Sequence, residues 1–288
     1  MSSFSNPLTI YKGRPLDPPI LHIFTVMNRV AVEHGCPYIV VGATARDLLL
    51  YHVFGIPAIR ATQDVDFAIA VENWERFQNL RNALLATDQF APSPVEHRLF
   101  LKTPQGTTQI PIDLIPFGGV AEGDMIAWPP AMDTVMTVAG FEDAITASVQ
   151  VQVSAILTLP VVSLAALAIL KLFAWQDRKA SDKDALDLYR VLSTYADAGN
   201  TDRLYESEIS LLEQANYDLE LAGAALVGRD GRQLSSPGTM ARLRTLLTPA
   251  DFMDALAERI RASRWPLDPE QLPRVRTILL TFRDHLLG

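Results

Sequence analysis

Asp64 and Asp66 stand one residue apart at the head of an apolar run, Asp64-Val65-Asp66-Phe67-Ala68-Ile69. On a strand, residues i and i+2 share a face, so the two carboxylates project together while Val65, Phe67 and Ile69 turn into a core. Carboxylates held this close repel, and a hard divalent cation with oxygen ligands relieves the repulsion. The pair is the simplest sequence plan for a magnesium site. A third carboxylate, Asp113, lies in Gln109-Ile110-Pro111-Ile112-Asp113-Leu114-Ile115, where apolar and polar residues alternate as on a strand. Upstream, the apolar run Tyr38-Ile39-Val40-Val41 breaks at Gly42 into Ala43-Thr44-Ala45-Arg46-Asp47, which has helix-forming character. A strand that turns at glycine into a helix start presents backbone N–H groups to an anion, and phosphate is the natural guest.

This order, Val41 to Asp47, then Asp64-Val65-Asp66, then Asp113, resembles the polymerase-beta-like nucleotidyltransferase superfamily. Arg60-x-Thr62-x-Asp64-Val65-Asp66 is similar to the second motif of the AbiEii-type nucleotidyltransferases, the toxins of type IV toxin-antitoxin pairs. Leu170-Lys171-Leu172-Phe173-Ala174 and the segment from Arg178 through Lys183, Asp184, Asp187 and Leu188 resemble that family's third and fourth motifs. The resemblance covers residues 38 to 192. It implies an enzyme that moves a nucleoside monophosphate from a nucleoside triphosphate to an acceptor hydroxyl or phosphate, on RNA such as tRNA or on protein. Asp64, Asp66 and Asp113 would hold two Mg²⁺ ions and, with Asp184, act in catalysis. Gly42, Ala43, Thr44, Arg46, Thr62, Lys171 and Lys183 would contact the nucleotide. An antitoxin protein would be a partner.

Two positions depart from the family pattern. Ala43 stands where the superfamily usually has a second Gly or Ser, with a hydroxyl only at Thr44, and Leu170 stands where the family commonly has Glu before the lysine. These departures motivate a second reading, a non-catalytic nucleotide- or RNA-binding module on the same scaffold. A third is transfer to a small-molecule acceptor. The fourth-motif residues also admit a plain structural account: Lys183 and Asp187, four apart on a helix, make an ordinary intrahelical ion pair worth ~0.3 kcal/mol.

The elements that must position these residues follow from periodicity. Asp64 to Val71 reads as a strand, and Trp74, Phe77, Leu80 and Leu84 form one stripe of a helix over 72–85. Arg98 to Lys102 and Thr108 to Ile115 suggest a hairpin turned at Gly106, and Phe117-Gly118-Gly119 ends the second strand. Val149 to Val153 alternates with Gln150 and Gln152 as a strand, and Pro160 divides it from a buried helix, Ser163 to Leu170, with Lys171 at its end. Helices dominate beyond, with joints at Gly199-Asn200, Gly228 to Gly231, Ser236-Pro237-Gly238 and Leu267-Asp268-Pro269, and with Thr248 as an N-cap before Pro249. The fold class is an α/β (α+β) core with a mixed sheet, residues 1–160, followed by a mainly α-helical domain, residues 161–288, that completes the nucleotide pocket.

Composition narrows the classes. The chain of 288 residues is 49% hydrophobic and 20% charged, ordinary for a globular protein. One cysteine, Cys36, excludes an internal disulfide and a cysteine-clustered zinc site; with no secretion signal at the N-terminus, a cytoplasmic location is expected. His22, His34, His52, His97 and His285 lack ligand spacing, and no Walker-type loop or Gly-x-Ser-x-Gly elbow is present. The uncharged stretch Ala144 to Leu170 is split by Pro160 into pieces too short for a membrane span. The net charge of −8 argues against a basic coat for nucleic acid, although residues 229 to 288 hold ten arginines and no lysine against seven acids. Solvated helix faces account for that tail, and a nucleic-acid face is the alternative.

Overall fold

The computed structural model describes residues 6–58, 64–102, 110–178, 182–263 and 272–288. The chain divides into two compact units, Met1–Ser163 and Leu164–Gly288. Among the described residues of the first unit, in chain order, are β1 (Leu8–Thr9), α1 (Pro18–Glu33), β2 (Tyr38–Val41) and α2 (Gly42–Asp47), which runs on as a π-helical stretch, Leu48–Val53. Then come β3 (Val65–Val71), α3 (Trp74–Ala86), β4 (Phe90–Pro92), β5 (Arg98–Leu101), β6 (Ile110–Gly118), β7 (Met125–Ala127), β8 (Val135–Thr137), α4 (Phe141–Thr146), β9 (Val149–Ser154) and β10 (Leu157–Val161).

Eight of the strands form one mixed sheet in the order β1-β9-β10-β2-β3-β6-β5-β4. β3 is central, antiparallel to β2 and parallel to β6, while β5 is antiparallel to β6. Alternation explains the local choices. Val65, Phe67 and Ile69 are fully buried, with Phe67 edge-on to Phe24 of α1 at 6.0 Å and to Tyr38 of β2 at 5.8 Å. Burial of each such side chain stabilises by roughly 1.5–3 kcal/mol. On α3 the expected stripe holds: Asn73 caps the helix by accepting from the Arg76 N–H, and Phe77, Leu80 and Leu84 are buried.

Two features of this unit differ from the sequence reading. β6 ends at Gly118 as expected, but the core does not end there: a small antiparallel pair, β7 with β8, follows with α4, and β9 and β10 then join the same sheet. Trp128, between β7 and β8, packs against Trp74 and Phe77, so an apolar anchor rather than regular periodicity holds this insertion. Pro160 does not separate strand from helix. It lies inside β10, which folds back on β9 as a hairpin; the parallel pairing of β10 to β2 is recorded only at Val161 opposite Val40, so proline is tolerated there. The expected turn at Gly106 lies outside the described residues.

In the second unit the described helices are α5 (Leu164–Asp177), α6 (Asp182–Thr194), α7 (Thr201–Tyr205), α8 (Ile209–Gln214), α9 (Leu219–Leu234), α10 (Pro237–Leu247), α11 (Ala250–Ala262) and α12 (Leu272–Leu287). α5 is apolar on all sides and almost wholly buried from Leu164 to Phe173. Lys171 is in its interior rather than at its end, because the helix continues to Asp177. Gly228 and Gly231 are not a joint either: α9 runs through them. A Cβ on Gly228 would come within 2.5 Å of the Phe282 carbonyl oxygen, so glycine here lets the backbones of α9 and α12 approach closely. Ser236 does cap α10, with Pro237 in its first turn. Thr248 instead closes α10, its hydroxyl donating to the Arg244 carbonyl, and Pro249 takes the N-cap place of α11. Leu267 to Pro269 lie outside the described residues. Among the described residues no helix is long and apolar enough to cross a membrane.

Candidate active site

The site in the first unit is a row across four adjacent strands. Val41 of β2 is opposite Asp66 of β3, Asp66 is opposite Asp113 of β6, and Asp113 is opposite Arg98 of β5. Directly opposed residues share a face. Asp64 precedes β3 by one residue and joins the same group: each of Asp64, Asp66 and Asp113 offers a carboxylate oxygen, all within 4.8 Å of one another. All three are half-buried. At an effective dielectric of about 20, two unit charges 4.8 Å apart repel by about 3.5 kcal/mol before solvent screening, and closer ones by more.

Gly42 makes room for this group. Its φ is +68°, and a Cβ would come 1.9 Å from Asp66 Oδ2. Only glycine accepts both the left-handed backbone and the close approach of the carboxylate. Val41, in the N-cap position of α2, offers no capping side chain, which suits an anion at the helix start. Ala43 is buried beside it. The Thr44 hydroxyl donates to the Asp64 carbonyl oxygen at 2.6 Å, tying the helix start to the approach to β3. Arg46 is 3% exposed and donates from Nε and Nη2 to Asp47 Oδ1, at 2.8 and 2.6 Å. Thr62 lies outside the described residues.

Two neighbours of the triad escaped the sequence reading. Arg98 donates from Nε to Asp113 Oδ1 at 2.6 Å and from Nη2 to Oδ2 at 2.7 Å. That fork, with the added fields of Asp113, Asp64 and Asp66, outweighs partial burial and raises the pKa of the guanidinium. His97 lies with its ring 5.3 Å from that of Trp128; burial and Arg98 push its pKa down, against the pull of Asp113. The signal for Arg98 was the proposed hairpin itself. A turn close to Gly106 places residue 98 near residue 113, and the alternation of β5 puts Leu99 and Leu101 on the buried face and Arg98 on the other.

The second unit holds a separate charged cluster. Lys171 Nζ lies 3.0 Å from Asp184 Oδ1 and 2.7 Å from Asp187 Oδ2. Arg178 Nη2 is 2.9 Å from Asp184 Oδ2, in ion-pair contact but off the line of a hydrogen bond. Asp184 and Asp187 are 2% and 1% exposed and Lys171 8%. Burial works against the Lys171 charge, yet the fields of Asp187 and Asp184 and their hydrogen bonds prevail and raise its pKa. Asp187, read from sequence as a surface partner of Lys183, is a buried partner of Lys171, whereas Lys183 is exposed. The structure therefore brings Asp64, Asp66, Asp113 and Gly42 together in one unit, and Lys171 and Asp184 together in the other.

Solved structures offer distant likenesses. A nucleotidyltransferase-like antigenic protein from Paracoccidioides brasiliensis aligns at 16% identity over 70% of this chain and 93% of its own, with a TM-score of 0.42. The antibiotic-resistance factor ANT(2'')-Ia aligns at 13% identity over 70% and 99%, TM-score 0.36. A Thermotoga maritima CCA-adding enzyme, solved with tRNA, aligns at 11% identity over 96% and 80%, TM-score 0.26. No functionally curated protein is similar enough in sequence to match. The family model described as nucleotidyl transferase AbiEii toxin, type IV toxin-antitoxin system, matches residues 25–278. With that match over most of its length, the chain belongs to the AbiEii nucleotidyltransferase family and is a transferase of that class.

Proposed function

We propose that this protein transfers a nucleoside monophosphate from a nucleoside triphosphate to an acceptor on RNA, with Mg²⁺ held by Asp64, Asp66 and Asp113. The observation that carries this reading is the convergence of three carboxylates within 4.8 Å beside a glycine whose missing Cβ leaves space at Asp66. An all-oxygen donor set of this spacing suits Mg²⁺, and two-ion sites place their ions ~3.5–4 Å apart. When bound, the ions supply charge neutralisation of the triphosphate and acidification of the attacking hydroxyl. The acceptor oxygen attacks the α-phosphorus as the bond to the β-phosphate oxygen breaks, pyrophosphate leaves, and the acceptor proton passes to solvent. Asp64 and Asp66 would hold the ions. Asp113, both of whose oxygens already accept from Arg98, serves as ligand and anchor rather than as proton acceptor.

The turn at Gly42, Ala43 and Thr44 and the buried Arg46 form the phosphate end of the nucleotide site in this reading, and Thr62 belongs with it. Lys171, Asp184 and Lys183 keep the nucleotide-contact and catalytic roles that the family resemblance implies for them. The family description supports a toxin role with an antitoxin protein as partner. RNA is taken as acceptor from the family resemblance; the arginines from residue 229 do not add to it, because Arg229, Arg259, Arg261, Arg274, Arg276 and Arg283 are paired with carboxylates. The test is incubation of wild type and the Asp64→Ala/Asp66→Ala variant with Mg²⁺, total RNA and each α-labelled nucleoside triphosphate. Label is expected in RNA with wild type alone. Equal labelling by the variant sinks the assignment, and label in no acceptor with nucleotide still bound favours a binding module.

A further inference from the structure

A cleft of about 540 Å³ opens among α5, α10 and α11, within the roughly 300–1,000 Å³ of small-molecule sites. Every residue lining it belongs to the second unit, and none has a nucleotide or catalytic role above. Ala241 of α10 and Ala255 of α11 line it with side chains that reach no further than Cβ, which leaves the space open. The floor is aromatic. Phe173 and Phe252 are 3% and 7% exposed, and Trp175 meets the Phe252 ring edge-on at 4.9 Å, so the orientation of that ring is set before any ligand arrives. The rim is polar, with Gln176, Thr245 and Asp251 exposed and Arg242 beside them. The Thr245 hydroxyl donates to the Ala241 carbonyl oxygen at 3.1 Å. Among the described residues neither the Gln176 amide nor the Asp251 carboxylate is engaged in a side-chain hydrogen bond or ion pair.

An aromatic floor bordered by an acceptor-only carboxylate and an amide selects a ligand that is planar and carries N–H donors on its edge. A purely apolar group would use the floor and leave the carboxylate unanswered. Nucleobases have faces that stack on phenyl rings, and adenine, cytosine and guanine add an exocyclic amino group that uracil lacks. We propose that this cleft binds an unpaired nucleobase bearing an exocyclic amino group, stacked on Phe173 and Phe252 with that amino group donating to Asp251. The base belongs to the acceptor strand, and this assignment alone rests on the reading of RNA as acceptor; a free nucleotide is the other source of the same chemistry.

The experiment is fluorescence anisotropy of the full chain with short labelled oligo(rA), oligo(rC) and oligo(rU), alongside saturation-transfer NMR with adenosine, cytidine and uridine. Wild type is expected to bind the adenine and cytosine strands roughly tenfold more tightly than the uracil strand, the effect of one hydrogen bond to a charged group. Ala241→Leu/Ala255→Leu, which fills the cleft from two exposed positions, is expected to weaken every strand by roughly tenfold or more through lost stacking. Asp251→Ala is expected to bring the strands within about twofold of one another. Thermal melts report whether each variant is folded, and the exposed Asp251→Ala carries the test if the filled variant is not. Equal strand binding by wild type and a folded filled variant would overturn the proposal, as would an unchanged preference in Asp251→Ala or no signal from any strand or nucleoside on wild type. Nucleoside signals lost on filling the cleft, with no strand bound, would keep the base site and assign it to a free nucleotide. That outcome removes RNA from this cleft without touching the triad, which the labelling experiment tests separately.

Discussion

The molecule handles carboxylates in two opposite ways. In the sheet unit, Asp64, Asp66 and Asp113 converge, with the Arg98 guanidinium forked onto Asp113 and partial access to solvent. In the helical unit, Asp184 and Asp187 are more deeply buried, and among the described residues Lys171 contacts both while Arg178 contacts Asp184. A balanced cluster can be closed off, and breaking it leaves an uncompensated charge in the interior. An unbalanced one is tolerable where a further cation can enter. The contrast sets a half-buried group of converging carboxylates, proposed above to hold Mg²⁺, against an internal ion pair whose cations the fold itself supplies.

Opposite responses to substitution would sharpen this contrast. Removing carboxylates from the triad should cost activity and not stability: Asp64→Ala/Asp66→Ala is expected to lower kcat by roughly 10³-fold or more, about 4 kcal/mol in barrier, with a thermal midpoint at or above that of wild type. A lowered midpoint would mean that the triad helps hold the sheet together. In the helical unit the reverse is expected. Lys171→Met removes the buried cation that Asp184 and Asp187 share and should destabilise by about 3–5 kcal/mol in a denaturant melt, and Asp184→Asn/Asp187→Asn in the same chain should recover part of the loss. No recovery would show that Lys171 stabilises through packing alone.

Gly42→Ala probes the edge of the triad. The Asp66 carboxylate can swing from the new Cβ, so the stability cost should be that of the positive φ, about 1–2 kcal/mol, while activity falls further because Asp66 is displaced. A smaller effect is linkage to the ion. Mg²⁺ at about ten times its dissociation constant should stabilise wild type by about 1.4 kcal/mol and leave Asp64→Ala/Asp66→Ala unmoved. Equal shifts in both would place the bound ion elsewhere.

The smallest effect is at high pH. The Lys171 pKa is raised above its ordinary 10.5 by the two carboxylates, so its contribution is fully present below that value and is lost as pH rises through the folded-state pKa. The stability gap between wild type and Lys171→Met should therefore be level at neutral pH and narrow only above about pH 10.5. Narrowing near neutrality would contradict the ion-pair account.

Much of the site was legible because it is written in short-range chemistry. Gly42 ends an apolar strand, Asp64 and Asp66 share a strand face by the period of two, and Asp113 sits in an alternating run. The helix α3 was equally plain from its apolar stripe. Misreadings came where a long-range contact overrides a local signal. Gly228 reads as a break until the Phe282 backbone, far away in sequence, supplies a reason for a glycine inside a helix. Pro160 reads as a boundary until β9 is folded back beside it.

By itself, then, the sequence determined which residues carry charge, which faces they take on their own elements and which turn must be glycine, since these depend on neighbours a few residues away. Tertiary structure decided which charges meet. Asp66 lies opposite Asp113 through parallel pairing across an intervening helix and two strands, Arg98 faces Asp113 through hairpin register, and Asp187 reaches Lys171 through the packing of α6 on α5. Register and packing are set by burial of whole faces at once, and a one-residue slip of β3, β5 or β6 would send Asp66, Arg98 or Asp113 to the other face of the sheet.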